Sequence, residues 1–206
     1  LLTQQWDPTS QRFGWKKADG VLMMAPDVVY DALLANERSL DDPEIIDVEP
    51  GETVAIRWIA ASAFMSFFLD LGELEGELLR TDANPVEPIR GSVFQLALAQ
   101  RLTLRLTMPD TPGVFPLLAL GERSNLRCGV VLRSSRKLKA PALAPQSQQW
   151  AGSLDFSQDR QLRAKTPLAV RAADNTIPVA LTGPAPKYTW GLNHRFYPYR
   201  DPYWVD

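Results

Sequence analysis

The hexapeptide Arg101-Leu102-Thr103-Leu104-Arg105-Leu106 alternates leucine with polar residues without a break. Period-two alternation puts the leucines on one face of an extended chain and Arg101, Thr103 and Arg105 on the other. Such a segment is stable as a strand with one face wet and one face on a core. It closes a longer stretch built on the same plan. From Ile45 onward, two short apolar runs are joined by the Pro50-Gly51 turn, and strands are predicted over 54–59, 63–69, 74–80 and 93–98. Asp82-Ala83-Asn84-Pro85 and Met108-Pro109-Asp110-Thr111-Pro112-Gly113 supply the turn chemistry between runs. Short strands with turns every ten residues or so predict a β-sandwich or barrel. Ile56, Trp58, Leu102 and Leu104 are expected in its core.

The rest of the chain fits an all-β reading. Two more strands are predicted over 114–120 and 126–132, with residues 121–125 as a hairpin loop. Seventeen prolines among 206 residues favour a loop-rich β architecture over a helical one. Residues 1–20 show little periodicity but hold Trp6, Phe13 and Trp15, which suggests a segment lying over another surface. Residues 27–34 read as a helical turn capped by Asp27 or as an extended run. Residues 134–152 are rich in Pro, Ala, Gln and Ser and read as a polar linker. Residues 155–170 are moderately amphipathic and broken at Pro167. Short strands are predicted over 177–181 and 188–193.

Composition excludes several classes of function. A formal charge of −2 with both signs interspersed gives no footprint for nucleic acid and no polybasic patch for a membrane surface. The longest apolar run, 58–69, falls far short of the roughly 20 residues of a spanning helix. A single cysteine rules out an internal disulfide. With no initiator Met and no basic-then-apolar leader, the chain reads as a fragment or a processed product.

Several segments carry a family resemblance. Asp47-Val48-Glu49-Pro50-Gly51-Glu52-Thr53-Val54-Ala55-Ile56-Arg57 resembles the "V-x-P-G-E-x-V-x-x-R" entry to the middle cupredoxin domain of bacterial multicopper oxidases. Thr81-Asp82-Ala83-Asn84-Pro85-Val86-Glu87-Pro88 is similar to that domain's "D-G-x-P-V-E-P" turn, and Phe115-Pro116-Leu117-Leu118-Ala119 to "F-P-I-L-A". Gly129-Val130-Val131-Leu132 resembles the strand that follows. Thr166-Pro167-Leu168-Ala169-Val170-Arg171 resembles the linker toward the third domain, and Tyr188-Thr189-Trp190-Gly191-Leu192-Asn193-His194-Arg195 the "Y-x-W-x-I-N-G-R" run that opens it. Two departures stand out. Leu34-Ala35-Asn36-Glu37 replaces the glycine of an "L-x-N-G" hairpin, and a glutamate there implies a different turn type. His194 replaces the glycine of "N-G-R", where a left-handed residue is still tolerated after Asn193.

The resemblance implies a cupredoxin-like Greek-key β-sandwich with an N-terminal extension and a C-terminal linker. Its divisions are residues 1–32 as extension, 33–133 as the cupredoxin-like domain, 134–187 as a linker wrapping it, and 188–206 as the start of a third cupredoxin domain. It further implies a non-catalytic middle domain, in a periplasmic or secreted parent that oxidises phenols, amines or cuprous ion and reduces dioxygen to water. Copper would sit in the parent's flanking domains, with none in this chain. A blue-copper centre needs two His, a Cys thiolate and usually an axial Met, and this sequence offers one histidine, His194, and one cysteine, Cys128. No catalytic, cofactor-binding or metal-ligating residue is therefore assigned.

The remaining candidates read as structural. Cys128, beside Gly129-Val130-Val131, reads as a small buried hydrophobe. Glu73, Glu75 and Glu77 form one charged, solvated face rather than a metal loop. The tail 188–206 is expected as an orphaned first strand exposing Trp190, Phe196, Tyr203 and Trp204, and docking on its own sandwich, on a flanking domain or on a neighbouring chain. The competing reading is a copper-free cupredoxin-fold module that is structural or binds protein.

Overall fold

The computed structural model describes residues 2–7, 12–17, 30–185 and 189–196, and divides the chain into two compact units, Leu1–Pro167 and Leu168–Asp206. In the first unit, β1 (Leu2–Asp7) and β2 (Arg12–Lys17) pair antiparallel, with Trp6 opposite Phe13 and Gln4 opposite Trp15. This corrects the aperiodic reading of that segment: a backbone ladder forms where apolar residues are too sparse to mark a face.

Nine strands then build two sheets. They are β3 (Glu44–Asp47), β4 (Thr53–Ile59), β5 (Phe67–Asp70), β6 (Gly76–Thr81), β7 (Asn84–Gly91), β8 (Val93–Leu96), β9 (Arg101–Thr107), β10 (Val114–Gly121) and β11 (Arg127–Arg133). The five-stranded sheet has the order β3-β11-β10-β5-β8, and the four-stranded sheet the order β4-β9-β6-β7. Every pairing is antiparallel except that of β3 with β11. Alternate residues of both sheets meet in one core: Leu78, Leu102, Leu104 and Leu106 from one, Leu69, Leu117, Cys128, Val130 and Leu132 from the other. Leu102 and Leu104 are fully buried, as the alternation requires. Ile56 and Trp58 are only half-buried, because β4 is an edge strand with no neighbour to cover its outer side.

Several predicted boundaries move for identifiable reasons. The strand predicted over 63–69 begins only at Phe67. Ser62 Oγ accepts the N–H groups of Phe64 (3.2 Å) and Met65 (2.7 Å), which turns the chain away from extended geometry. Residues 84–91, read in part as a turn, form β7 at an edge of its sheet, where Pro85 and Pro88 are tolerated. Of residues 27–34, only 30–34 are described, and they are neither helix nor strand. Residues 134–167 contain one short helix, α1 (Ser157–Gln161), and are tied to the strands: Arg127 N–H donates to the Pro145 carbonyl (2.9 Å), and Ser147 N–H to that of Asn125 (2.7 Å). Among the described residues no helix is long and apolar enough to cross a membrane, which says nothing of strands.

In the second unit, β12 (Leu181–Ala185), β13 (Thr189–Leu192) and β14 (Arg195–Phe196) form a sheet with β13 in the middle. The strand predicted over 177–181 thus begins only at Leu181. Asn193 fastens the preceding segment, its Oδ1 accepting Ala180 N–H at 2.6 Å and its Nδ2 donating to the Pro178 carbonyl at 3.0 Å. The orphaned-strand expectation is corrected: β13 is paired along both edges, because the chain on either side of it folds back. Trp190 is exposed and Phe196 half-buried, while Tyr203 and Trp204 lie outside the described residues.

Three two-residue hairpins share one conformation. Asn36 and Glu37 have φ of 48° and 66°, Asp82 and Ala83 of 46° and 68°, and Asn193 and His194 of 49° and 61°. Two consecutive left-handed residues mark the type I′ turn, whose twist matches that of the flanking strands. The expectation of a different turn at Glu37 is therefore corrected. The reciprocal bonds between Ala35 and Arg38 (2.9 and 3.0 Å) hold the hairpin closed, although a glycine is missing. A left-handed non-glycine residue costs about 1–2 kcal/mol, partly offset by the stiffer unfolded chain. Ala83→Gly is expected to raise stability by about 0.5–1 kcal/mol in denaturant titration. A loss of stability would show that the turn is not left-handed at that position.

Candidate functional site

A concavity lies where the two sheets open at the β3 and β4 edges. It measures about 600 Å³. Ile46 of β3 and Ile56 and Trp58 of β4 form its lips, and Phe67, Leu96, Ala119, Cys128 and Val130 its floor. Residues 30–37 pass over one side. There the Tyr30 hydroxyl meets Ser62 Oγ at 3.3 Å and accepts Phe64 N–H at 2.9 Å. The walls are mainly hydrocarbon and ring, so the space suits apolar contact rather than proton transfer.

Cys128 is the one nucleophile type in this floor. It sits on β11 and is 5% exposed, and burial pushes its thiol up to about 11. A thiol that stays protonated at neutral pH is a poor nucleophile. This agrees with its reading as a small buried hydrophobe. Trp58 holds a less expected feature: its Nε1 is buried with no hydrogen-bond partner. An unpaired buried donor costs about 1–3 kcal/mol, so Trp58→Phe is expected to leave stability within about 1 kcal/mol despite the smaller ring. A loss above 3 kcal/mol in denaturant titration would mean that the indole N–H is satisfied in solution.

His194 lies in the second unit, at the second position of its hairpin, where its backbone N–H donates to Thr182 Oγ1 at 3.1 Å. It is a turn residue, as read from the sequence. Glu73 and Glu75 are exposed and Glu77 is half-buried, while Leu74 and Leu78 are buried. Glu77 is bound by Arg105 and by Arg90 (2.8 Å), and these guanidinium groups, Arg105 first, hold its carboxyl below the usual range. Asp47 is likewise lowered, chiefly by the Arg133 hydrogen bond, with Arg136 on its other oxygen at 2.9 Å. Both carboxylates are committed to ion pairs. Among the described residues no three His, Cys, Asp or Glu side chains gather as a metal site.

The cavity escaped sequence reasoning. The only signal for it was that 54, 56 and 58 are apolar on a strand that turns out to lie at an edge.

A family model described as multicopper oxidase matches residues 5–131. No curated protein matches the chain. Among solved structures, the chain is similar to Fet3p, a multicopper oxidase that functions in iron import. The identity is 17% over 68% of this chain and 28% of that one, with a TM-score of 0.56. It is also similar to the laccase from Botrytis aclada, at 13% identity over 74% of this chain and 29% of that one, with a TM-score of 0.55. At these identities the likeness is one of fold, and the chain spans less than a third of the length of either solved chain.

Proposed function

Because the chain belongs to the multicopper oxidase family, we propose that it is the non-catalytic middle cupredoxin domain of such an enzyme. Its divisions are an extension over 1–32, the cupredoxin-like domain over 33–133, a wrapping linker over 134–187 and the start of a third domain over 188–206. The parent is periplasmic or secreted and oxidises phenols, amines or cuprous ion while reducing dioxygen to water. Its copper resides in flanking domains, which contact this one through the 188–206 tail.

The donor set is what carries this reading. One buried cysteine in the first unit and one turn histidine in the second do not make up two imidazoles and a thiolate. The chain's role is then to space and orient the copper domains. The competing reading, a copper-free module, leans on the missing hairpin glycines. The type I′ geometry retained at Glu37 and His194 takes weight from it, since the turns survive the substitutions.

Copper titration tests the proposal. After loading with cupric ion and dialysis, the purified chain is expected to show no intense blue absorption and less than one copper per chain. One tightly held copper, lost on Cys128→Ser or His194→Ala, would refute it.

A further inference from the structure

β4 ends the four-stranded sheet, and its pairing with β9 fixes which of its peptide groups lie on the open side. Ala60 N–H donates to the Gln100 carbonyl (3.1 Å) and Met108 N–H to that of Glu52 (2.8 Å). Both bonds belong to even-numbered positions, and an antiparallel ladder bonds every second pair. Val54, Ile56 and Trp58 therefore turn their peptide groups toward β9, and Thr53, Ala55, Arg57 and Ile59 turn theirs outward. The Ile59 carbonyl accepts Ala61 N–H at 3.0 Å. The other outward groups have no hydrogen-bond partner among the described residues. Two other edges are covered. At β7, Glu87 N–H donates to the Arg163 carbonyl at 2.8 Å, and Lys165 N–H to that of Pro85 at 3.1 Å. At β8, the Gln158 side-chain amide accepts Gln95 N–H (2.9 Å) and donates to the Gln95 carbonyl (2.8 Å). An open row of peptide groups such as that of β4 is a template for another strand.

The concavity runs along this open side. Its lining takes in Ile56 and Trp58, whose side chains lie on the core face, and also Arg57 and Ile59, whose side chains lie on the other. Contact with consecutive residues of both faces places the space against the edge of the strand. Residues 32–37 and Ile46 supply further walls. Charge adds a second constraint. On the solvent face, Arg57 is exposed, with Thr103 as its register partner and Arg101 and Arg105 diagonal to it. Arg101 is held by Asp82 at 3.2 Å, and Arg105 by Glu77. The Arg57 guanidinium has no ion pair or hydrogen bond among the described residues, Glu37 of the facing wall included.

We propose that the open edge of β4 binds an extended segment of a partner protein by strand addition, with apolar residues opposite Ile56 and Trp58 and a carboxylate opposite Arg57. In this mode main-chain bonds hold the segment and pockets for alternate side chains select it. The partner backbone meets the outward peptide groups of Ala55 and Arg57. Its apolar side chains enter the concavity on the core face, and the residue between them lies beside the free guanidinium on the other.

The probe is the peptide acetyl-Thr-Val-Glu-Val-Thr-amide, added to the whole chain and followed by amide hydrogen exchange. It is expected to bind saturably and to slow the Ala55 and Arg57 amides at least about tenfold. The Glu87 amide, already bonded at its own edge, is the unaffected control. A peptide with lysine in place of glutamate should bind about fivefold more weakly, and Arg57→Glu should reverse that preference. The proposal is overturned if the peptide leaves both amides unprotected, or if Arg57→Glu leaves the preference as it was. It is overturned too if both amides are already slow in the dilute free chain, because a segment of the chain itself would then occupy the edge. Protection that grows with protein concentration in the absence of peptide would make the occupant a second copy, and would overturn it equally.

Discussion

Replacing Leu104 by alanine is expected to cost the sandwich about 2–5 kcal/mol, toward the upper end of that range. Leu104 is fully buried on β9, with Ile56 of β4 and Leu78 of β6 as its register partners on either side. Both neighbours are held by ladders to β9, so the space left by the isobutyl group closes only in part. The melting temperature should fall on the order of ten degrees for a unit of this size. Thr107→Ala, on the exposed side of the same strand, should stay within about 0.5 kcal/mol. A Leu104→Ala loss under 1 kcal/mol would remove Leu104 from the core.

Gly129→Ala should have a comparable effect through the opposite fault. Gly129 lies on β11 opposite Leu118 of β10, and a methyl group there would run into the Leu117 carbonyl oxygen and the Leu118 Cα. These are backbone atoms of a paired strand and cannot swing aside as a side chain does. Overpacking costs about 1–3 kcal/mol where side chains can adjust, so at least about 3 kcal/mol is expected here. Gly152→Ala is the matched control, with nothing within 4 Å of the added carbon. It should be neutral or slightly stabilising. Equal effects from the two substitutions would refute the close approach at Gly129.

What could be read in advance depended on how far apart the deciding residues lie in sequence. Alternation over six residues was enough to place Leu102 and Leu104 inside and Arg101 and Arg105 outside. Turn residues likewise marked the β10–β11 hairpin. β7 was misread because Pro85 and Pro88 signal a turn locally, and only the sheet order makes them an edge. The turn at Glu37 was misread because side-chain preference was weighed without the bonds between Ala35 and Arg38. The cavity depends on how the β3 and β4 edges part, and the grip of Gln158 on Gln95 spans 63 positions. Neither leaves a local pattern in the chain. Cys128 was legible as a buried hydrophobe from its neighbours alone.

The parallel pairing of β3 with β11 also sets a timetable. Asp47 and Arg133, joined in register and by an ion pair of 2.7 Å, are 86 positions apart. At about 5–20 residues per second, a ribosome takes roughly 4–17 seconds to make the second after the first. Throughout that interval the five-stranded sheet lacks the interior strand on which β3 and β10 both rest. The nascent chain therefore has to hold its leucine-rich strands in waiting until almost the whole sandwich has been made, and such non-local closure folds slowly.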